Sequence, residues 1–593
     1  MQVSCKNKRL ERALVGANAL MAVLVVASLV LLFGFDIEEP PLPAWILFSI
    51  QVALLCAFVA EKVVRLFNAV SKSEFWRANW FEVPLLLGLA VAAFGSGYWF
   101  VSTSEEAGVV RHSAVGIYLV IQVVVKLCKT SVNLAASGKN PTRALVASFI
   151  VLIISGAGLL TLPTASAEGK NSLSLVDALF TATSATCVTG LIVRNTGEDF
   201  SSIGQAIILT LIQLGGLGIV VFGAVFALLL GQASVREEVA MQDLLSARTL
   251  SRIGNMIAFI IIGTFIIETV GAIGLYGMWS ADTQNTLFCS VFHSVSSFCN
   301  AGFSLHSDSF IAYSRSWQVY GVICPLIVLG GLGFSVLYDL VNIVTDRIKR
   351  FFKKWFNKRY RLSMEAPKRM RLQTKIVLSM SASLIVLGML AILLFERYAR
   401  ADGSVANTGV LDALFQSITA RTAGFNTVDI SAMSPSSRFI VILLMFIGGS
   451  PGSTAGGVKT VTLAVVIMTA VTALRKRQEV EMFQRSVKIV VVGRAITVTL
   501  LFAGVLLVTT LALSITENSN GFTMSDIAFE AASALGTVGL TTGITPDLTT
   551  AGKLLIIAAM LIGRLGPLTL LAALTFNLRP AKYNYPGEAV IVG

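Results

Sequence analysis

Four short stretches decide how this chain of 593 residues folds: Thr183-Ser-Ala-Thr-Cys-Val-Thr-Gly-Leu191, Ser297-Phe-Cys-Asn-Ala-Gly-Phe-Ser304, Thr419-Ala-Arg-Thr-Ala-Gly-Phe-Asn426 and Ala532-Ser-Ala-Leu-Gly-Thr-Val-Gly-Leu540. Each joins small residues to a glycine and then to a larger apolar residue. With Gly190, Gly302, Gly424 and Gly539 aligned, the spacings are 112, 122 and 115 residues, and self-similarity at a near-constant period marks a repeat architecture. The upstream context repeats too. Asp177-Ala-Leu-Phe180, Asp412-Ala-Leu-Phe415 and Asp526-Ile-Ala-Phe529 precede their glycines by 13, 12 and 13 positions, while the second repeat keeps only Phe292. An aspartate there suits a helix N-terminus, where its oxygens meet unpaired N–H groups and the positive end of the helix dipole.

Outward from these stretches the chain is apolar. It is 55% hydrophobic and 13% charged, with a mean hydropathy of +0.78, outside the range of soluble globular domains. Apolar runs of about 20 residues, the length that crosses a bilayer as helix, recur between short polar joints, about twelve in all; Ala13–Phe33, Ala144–Leu162, Ile203–Leu230, Ile376–Phe395 and Leu554–Leu574 are examples. The first is a true span rather than a cleaved signal, since many others follow it. Each repeat then reads as a span, a short helix of about three turns, a glycine-bearing loop and a second span. The paired spans are 144–162 with 203–230, 253–279 with 317–344, 374–396 with 437–472, and 488–514 with 553–575. The expected fold is an all-α polytopic membrane protein. Four pseudo-symmetric helix–pore-loop–helix repeats, near 139–235, 245–350, 370–480 and 485–580 of a domain spanning 139–593, surround a central pore, and residues 1–138 form an N-terminal four-helix transmembrane bundle.

The net charge of +13 would suit nucleic acid, so its location has to decide. From Arg347 to Lys375 there are twelve Lys or Arg against the single acid Glu365, and smaller basic groups lie at Lys6–Arg12, Arg475–Arg477 and Arg579–Lys582. Short basic joints between spans mark the cytoplasmic side, so membrane lipid is the partner and no nucleic acid is expected. The seven cysteines lie singly, without a CxxC pair, so neither a disulfide framework nor a metal site follows from their spacing. An enzyme is not expected: His112, His293 and His306 are the three histidines, and HExxH, GxSxG, Walker and dinucleotide motifs are lacking where they could work. His293, in the second short helix, reads as structural. Glu268 and Glu530, within apolar surroundings, suit either a proton relay or hydrogen-bonded packing.

Non-helical backbone inside a bilayer is tolerated only where it is buried or lines a watery cavity. Four such loops meeting on one axis could offer carbonyl oxygens in place of a cation's water, with glycine admitting backbone angles and approaches that a side chain obstructs. Any one of these glycines could instead serve helix packing; four at matched offsets point to a pore that closes within one chain. The candidate filter residues are Val188, Thr189 and Gly190, Asn300, Ala301 and Gly302, Thr422, Ala423 and Gly424, and Thr537, Val538 and Gly539. Gly448-Gly-Ser-Pro-Gly-Ser-Thr-Ala-Gly-Gly-Val-Lys459 interrupts the apolar segment from Phe439 to Leu474 with too many helix breakers for one continuous helix. Arg564, in Ile562-Gly-Arg-Leu-Gly-Pro567, lies inside the last apolar stretch, where a charge is expensive and faces a cavity or the bundle interior.

With Thr189-Gly-Leu191, Asn300-Ala-Gly-Phe303, Arg421-Thr-Ala-Gly-Phe-Asn-Thr427 and Gly536-Thr-Val-Gly-Leu-Thr541, the sequence resembles, over about residues 140–593, the potassium-translocating subunit of the Trk/Ktr/HKT superfamily; Tyr585-Pro-Gly-Glu588 is similar to the closing segment of its Ktr branch. The resemblance implies potassium uptake with potassium preferred over sodium, since all four filters carry glycine. It implies K+ bound at the filter by backbone carbonyls as the transported ion, Na+ as a candidate activator, and no cofactor in this chain. An alternative is a sodium-dependent or proton-coupled potassium (or sodium) symporter of the same fold. It further implies that the loop with Gly448, Gly449, Gly452, Gly456, Gly457 and Lys459 is an intramembrane gate, and that Arg564 is a pore barrier. Lys459 either shares that role or snorkels to the inner surface. Finally, it implies a homodimer on a ring of separate cytosolic nucleotide-binding RCK-type subunits, contacted through the basic 347–375 loop and the carboxyl tail, in a bacterial inner membrane.

In the first 140 residues, apolar segments fall near 13–33, 44–67, 81–101 and 114–128. Phe58-Val-Ala-Glu61-Lys-Val-Val-Arg65 and Asn79-Trp-Phe-Glu82 resemble the second and third helices of a voltage-sensor domain. The fourth offers only Arg111, Lys126 and Lys129 in place of a long arginine ladder. So few charges predict an accessory bundle with shallow or no voltage dependence.

Overall fold

The computed structural model describes residues 44–68, 70–72, 141–218, 253–280, 285–356, 369–399, 409–477 and 479–574, besides isolated positions before residue 25. Of the N-terminal bundle, α1 (Ala44–Asn68) lies within them, and on it the buried Glu61 pairs with Arg65 one turn later. The segments near 81–101 and 114–128, with Glu82, Arg111, Lys126 and Lys129, and all but isolated positions of 13–33 lie outside the described residues, as do 357–368 of the basic loop and the Tyr585–Glu588 segment.

The repeat is visible in the order of the helices. The first unit comprises α2 (Pro141–Leu160), α3 (Leu175–Cys187) and α4 (Ser202–Leu217). The second has α5 (Ile253–Leu275), α6 (Thr286–Cys299), a π-helical turn at Val319–Ile323, α7 (Cys324–Leu332) and α8 (Phe334–Phe356). The third has α9 (Leu372–Ala399), α10 (Val410–Thr419), α11 (Pro435–Phe446) and α12 (Thr460–Leu474). A small antiparallel hairpin of β1 (Val480–Met482) and β2 (Arg485–Val487) leads to the fourth: α13 (Ile489–Thr516), α14 (Met524–Gly536), α15 (Thr550–Leu565) and α16 (Pro567–Leu574). Among the described residues, Met256–Leu275, Leu372–Tyr398 and Ile489–Thr516 are each long and apolar enough to cross a membrane unbroken. They are the first spans of repeats two, three and four.

The second spans depart from expectation. The sequence suggested a break in the third repeat alone, whereas the structure breaks the second helix of the second and fourth repeats as well, and that of the first ends at the matching glycine. α4, α7 and α15 end at Gly218, Gly333 and Gly566, with φ of 80°, 87° and 83°, where an L-residue helix cannot continue. The bend between Val319–Leu332 and Phe334–Phe352 is 105°. These positions belong to a motif that the sequence carried unnoticed: Gly215-Gly-Leu-Gly218, Gly330-Gly-Leu-Gly333 and Gly563-Arg-Leu-Gly566. Its first glycine packs on the end of the preceding short helix. A Cβ at Gly215, Gly330 or Gly563 would lie 1.9, 2.0 or 2.1 Å from the carbonyl oxygen of Thr186, Phe298 or Leu535.

Cohesion runs around the ring. Each of four buried clusters draws on two neighbouring repeats: Phe292 and Phe303 with Val188, Phe415 and Phe425 with Phe310, Phe529 and Leu540 with Met445, and Phe180 and Leu191 with Ile556. Phe180, Phe292, Phe415 and Phe529, one from each short helix, are fully buried. This is why phenylalanine is the part of the upstream motif that all four repeats keep.

The three aspartates occupy the third position of their helices, inside the N-cap. Ser174 and Thr523 accept from the backbone N–H of Asp177 and Asp526, and the Gly409 N–H donates to Asp412 at 3.2 Å. Each side chain also reaches the second helix of the preceding repeat. Lys553 Nζ lies 2.8 Å from Asp177, Arg438 lies 2.9 Å from Asp526, and the Tyr320 hydroxyl donates to Asp412 at 2.8 Å. The second repeat has no aspartate for this clasp. Both ion pairs are mostly buried, so removing one partner strands the other. Lys553→Met should lower stability by about 1–3 kcal/mol, between the exposed and buried limits, read as a lower melting temperature in detergent. The double variant Asp177→Asn, Lys553→Met should recover part of that loss, and strictly additive losses would contradict the clasp.

Candidate functional site

The four glycine loops meet. A Cβ built on Gly190 would lie 2.5 Å from Ala301 O; on Gly302, 3.0 Å from Ala423 O; on Gly424, 2.5 Å from Val538 O; and on Gly539, 2.2 Å from Thr189 O. The contacts run from the first repeat to the second, third and fourth and back to the first, so the ring closes within one chain. All four glycines have positive φ, 94°, 72°, 80° and 94°. Both the angle and the space therefore exclude a side chain.

Two residues before each glycine, Val188, Asn300, Thr422 and Thr537 also have positive φ, between 51° and 81°. Val188, Asn300 and Thr537 cap their helices in the left-handed conformation, whereas α10 ends two residues earlier relative to its glycine and is followed by a turn. Hydroxyls of the short helices hold the loops from behind. Gly190 N and Gly539 N donate to Ser184 and Ser533 at 3.1 Å each, and Ser296 and Thr419 donate to the carbonyls of Phe303 and Phe425 at 2.8 and 2.7 Å. The Asn300 amide nitrogen donates to Ile327 O and Ser297 O at 3.2 and 2.9 Å.

The twelve carbonyls of 188–190, 300–302, 422–424 and 537–539 are left over. Among the described residues no hydrogen bond reaches any of them, and Val188, Thr189, Ala301, Thr422, Ala423, Thr537 and Val538 are at most 1% exposed. The buried hydroxyls of Thr189, Thr422 and Thr537 find no partner among the described residues either. Buried carbonyls without a donor are rare. Each short helix runs into its loop, so its C-terminal end, the negative pole of its dipole, also faces this region. The ring is a place that favours positive charge.

Residues 447–459 separate α11 from α12, which bears out the expected break, and they pack closely against their surroundings. Gly448 N donates to Val458 O at 3.0 Å and Val458 N to Phe446 O at 3.2 Å. Ser450 N donates to Gly331 O and Phe334 N to Gly452 O, both at 3.0 Å. A Cβ at Gly456 would meet Thr537 Oγ1 at 2.2 Å, and one at Gly449 would meet Ala455 at 2.5 Å, so the loop lies directly against the fourth repeat's glycine loop. Gly452 and Gly457 take φ of 72° and 66° to turn it. Arg564 stands where Gly216 and Gly331 stand in their repeats. Its guanidinium donates to Thr454 O in the loop and to Gly215 O, with Gly216 O at 3.4 Å. The Lys459 ammonium folds back onto its own loop, 2.6 Å from Ala455 O and 3.3 Å from Gly456 O, rather than extending away from it.

Glu268 accepts from Gln213 Nε2 at 3.2 Å, and Glu530 from the hydroxyls of Thr541 and Thr545. Both thus have the local partners of packed polar groups.

The TrkH family, described as cation transport protein, matches residues 111–584. The chain is 36% identical over 467 residues to the "Potassium/sodium uptake protein NtpJ" of Enterococcus hirae, covering 77% of this chain and 97% of that protein. It is also 36% identical over 466 residues to the "Ktr system potassium uptake protein B" of Bacillus subtilis, with the same two coverages. The crystal structure of the potassium transporter TrkH from Vibrio parahaemolyticus shares the fold, at a TM-score of 0.56 and 20% identity, over 85% of this chain and 97% of that one. The chain thus belongs to the TrkH family of cation transport proteins, and is an integral membrane transporter and not an enzyme.

Proposed function

We propose that the chain takes up potassium, and that the four-glycine ring is its selectivity filter. The observation that carries this is the set of twelve carbonyls without a donor among the described residues, on residues all buried except the half-buried Gly302: a dehydrated K+ on the axis gives them the partner that water gives elsewhere. The unpartnered hydroxyls of Thr422 and Thr537 extend the oxygen set by one layer. Loop 447–459 is the gate. It bears on repeats two and four and is tied to repeat one through Arg564, so opening requires its carbonyls to exchange partners. Arg564 places a fixed positive charge beside that passage and raises the barrier to cations.

Sodium enters through the name of the Enterococcus hirae relative, which supports a role for Na+ as activator or as second cargo; replacing external Na+ in the uptake assay below separates the two. The bacterial relatives support a cell-membrane location. The name "Ktr system" in the Bacillus subtilis relative supports a multi-subunit assembly. A homodimer on a cytosolic RCK-type ring would meet α8, whose far end exposes Phe351, Phe352 and Trp355 among lysines and arginines. Light scattering of the detergent-purified chain should return twice its mass, and a single-chain mass would remove the dimer.

Uptake in cells lacking their own potassium systems tests the filter and barrier together. Gly302→Ser is the informative filter variant, because its Cβ has 3.0 Å of clearance where Gly539 has 2.2 Å. Potassium-over-sodium preference should fall about tenfold, equivalent to about 1.4 kcal/mol. Arg564→Ala should raise flux several-fold without changing the preference. Unaltered selectivity in Gly302→Ser would refute the filter, and unaltered flux in Arg564→Ala would refute the barrier.

A further inference from the structure

We propose that Cys289, His293 and His306 form a binding site for one transition-metal ion of the zinc class, at the outer end of the second repeat's loop. Cys289 and His293 are one turn apart on the same face of α6, and His306 comes back over them from the loop that follows the second filter glycine. One ligand atom from each residue falls in a group within 4.8 Å of one another. The Cys289 Sγ lies 3.5 Å from His293 Nδ1 and 3.7 Å from His306 Nε2. Zinc bonds of about 2.3 Å to sulfur and 2.0–2.1 Å to nitrogen set neighbouring ligands about 3.4–3.6 Å apart at a tetrahedral centre. The two sulfur–nitrogen separations are close to those edges and the remaining one is within 4.8 Å, so an ion enters once the imidazoles close on it. A fourth position is left for water.

The surroundings are those of a built site. Cys289 and His293 are buried, and the half-buried His306 is the way in. Trp279 covers both imidazoles, with ring centroids 4.7 and 5.3 Å away, and is itself held by its Nε1 donating to Ser290 Oγ at 2.7 Å. Phe310 closes the His293 side at 5.3 Å. Ser304 is the outer partner that metal-bound histidines require: its hydroxyl lies 3.1 Å from His293 Nε2 and accepts from His306 N at 3.0 Å.

The protons balance. Without metal, His293 Nδ1–H donates to Cys289 O at 2.8 Å, and Nε2 accepts from Leu305 N at 3.3 Å. On binding, the Cys289 thiol releases its proton to water and the thiolate bonds the metal. The His293 proton passes from Nδ1 to Nε2, which then donates to Ser304, and the long Leu305 contact is given up. The bound ion ties residues 304–306, just beyond Gly302, to the helix that precedes the filter. A plain packing cluster, with the thiol acting as a small hydrophobe, would explain the burial but not three ligand atoms converging at these distances.

The test uses the full chain, purified metal-free in detergent, with Co2+ as a spectroscopic probe. One Co2+ per chain should bind with a thiolate-to-cobalt charge-transfer band and tetrahedral visible bands, and Zn2+ should displace it. Cys289→Ser should abolish the charge-transfer band, and Ser304→Ala should weaken Zn2+ binding about 10–100-fold. Zn2+ should raise the melting temperature of wild type and leave that of Cys289→Ser unchanged; a common elution profile controls for folding. A cobalt spectrum lacking the charge-transfer band, or a band that survives Cys289→Ser, overturns the proposal. The assay reads metal directly, so its result is independent of the filter assignment.

Discussion

Twelve backbone carbonyls that accept from no described donor, on residues that are all buried except the half-buried Gly302, are the constraint around which this molecule is built. In a bilayer, unpaired carbonyls cost several kcal/mol each unless something else satisfies them. A chain can maintain such a ring only if the surrounding structure holds it rigidly and if positive charge is at hand. The rigidity is visible in the hydroxyl buttresses from Ser184, Ser296, Thr419 and Ser533, and in glycines whose Cβ positions are taken by the next repeat's backbone. The proposed potassium ion is the positive charge.

Ring closure explains features that single repeats do not. Every large buried cluster spans two repeats, and the aspartate clasps run from repeats one, three and four to the one before, so each unit's packing is completed by its neighbour. The clasp is missing only where the second repeat lacks its aspartate, and there the Phe292 and Phe303 cluster with Val188 carries the contact. The same cyclic logic explains Arg564. Repeats one and two place Gly216 and Gly331 after the glycine that packs on the short helix; repeat four places a guanidinium there, and repeat three extends the break into a thirteen-residue loop. Charge and loop thus meet at Thr454 because they occupy neighbouring copies of one position.

Much of this could be read from the residues in order. The glycine spacing located all four loops, the helix breakers after Ile447 located the interruption of the third repeat, and an arginine in an apolar run marked the position that touches it. What escaped was what depends on contacts between repeats. The Gly-x-Leu-Gly break looks like ordinary small-residue packing until Thr186, Phe298 and Leu535 are seen beneath it. The aspartates suggested only helix capping, because Lys553, Arg438 and Tyr320 are remote in sequence. The cysteine–histidine cluster was hidden by a search for paired cysteines: its signal is Cys-x-x-x-His on a helix, completed by a histidine thirteen residues on.

The most direct test is to see the ion. Crystals grown with Rb+ in place of K+, with diffraction collected at the rubidium edge, would locate it by anomalous scattering. Density is expected on the ring axis, within coordinating distance of the carbonyls of 188–190, 300–302, 422–424 and 537–539. Ordered rubidium elsewhere in the chain, with none inside the ring, would contradict the proposed filter.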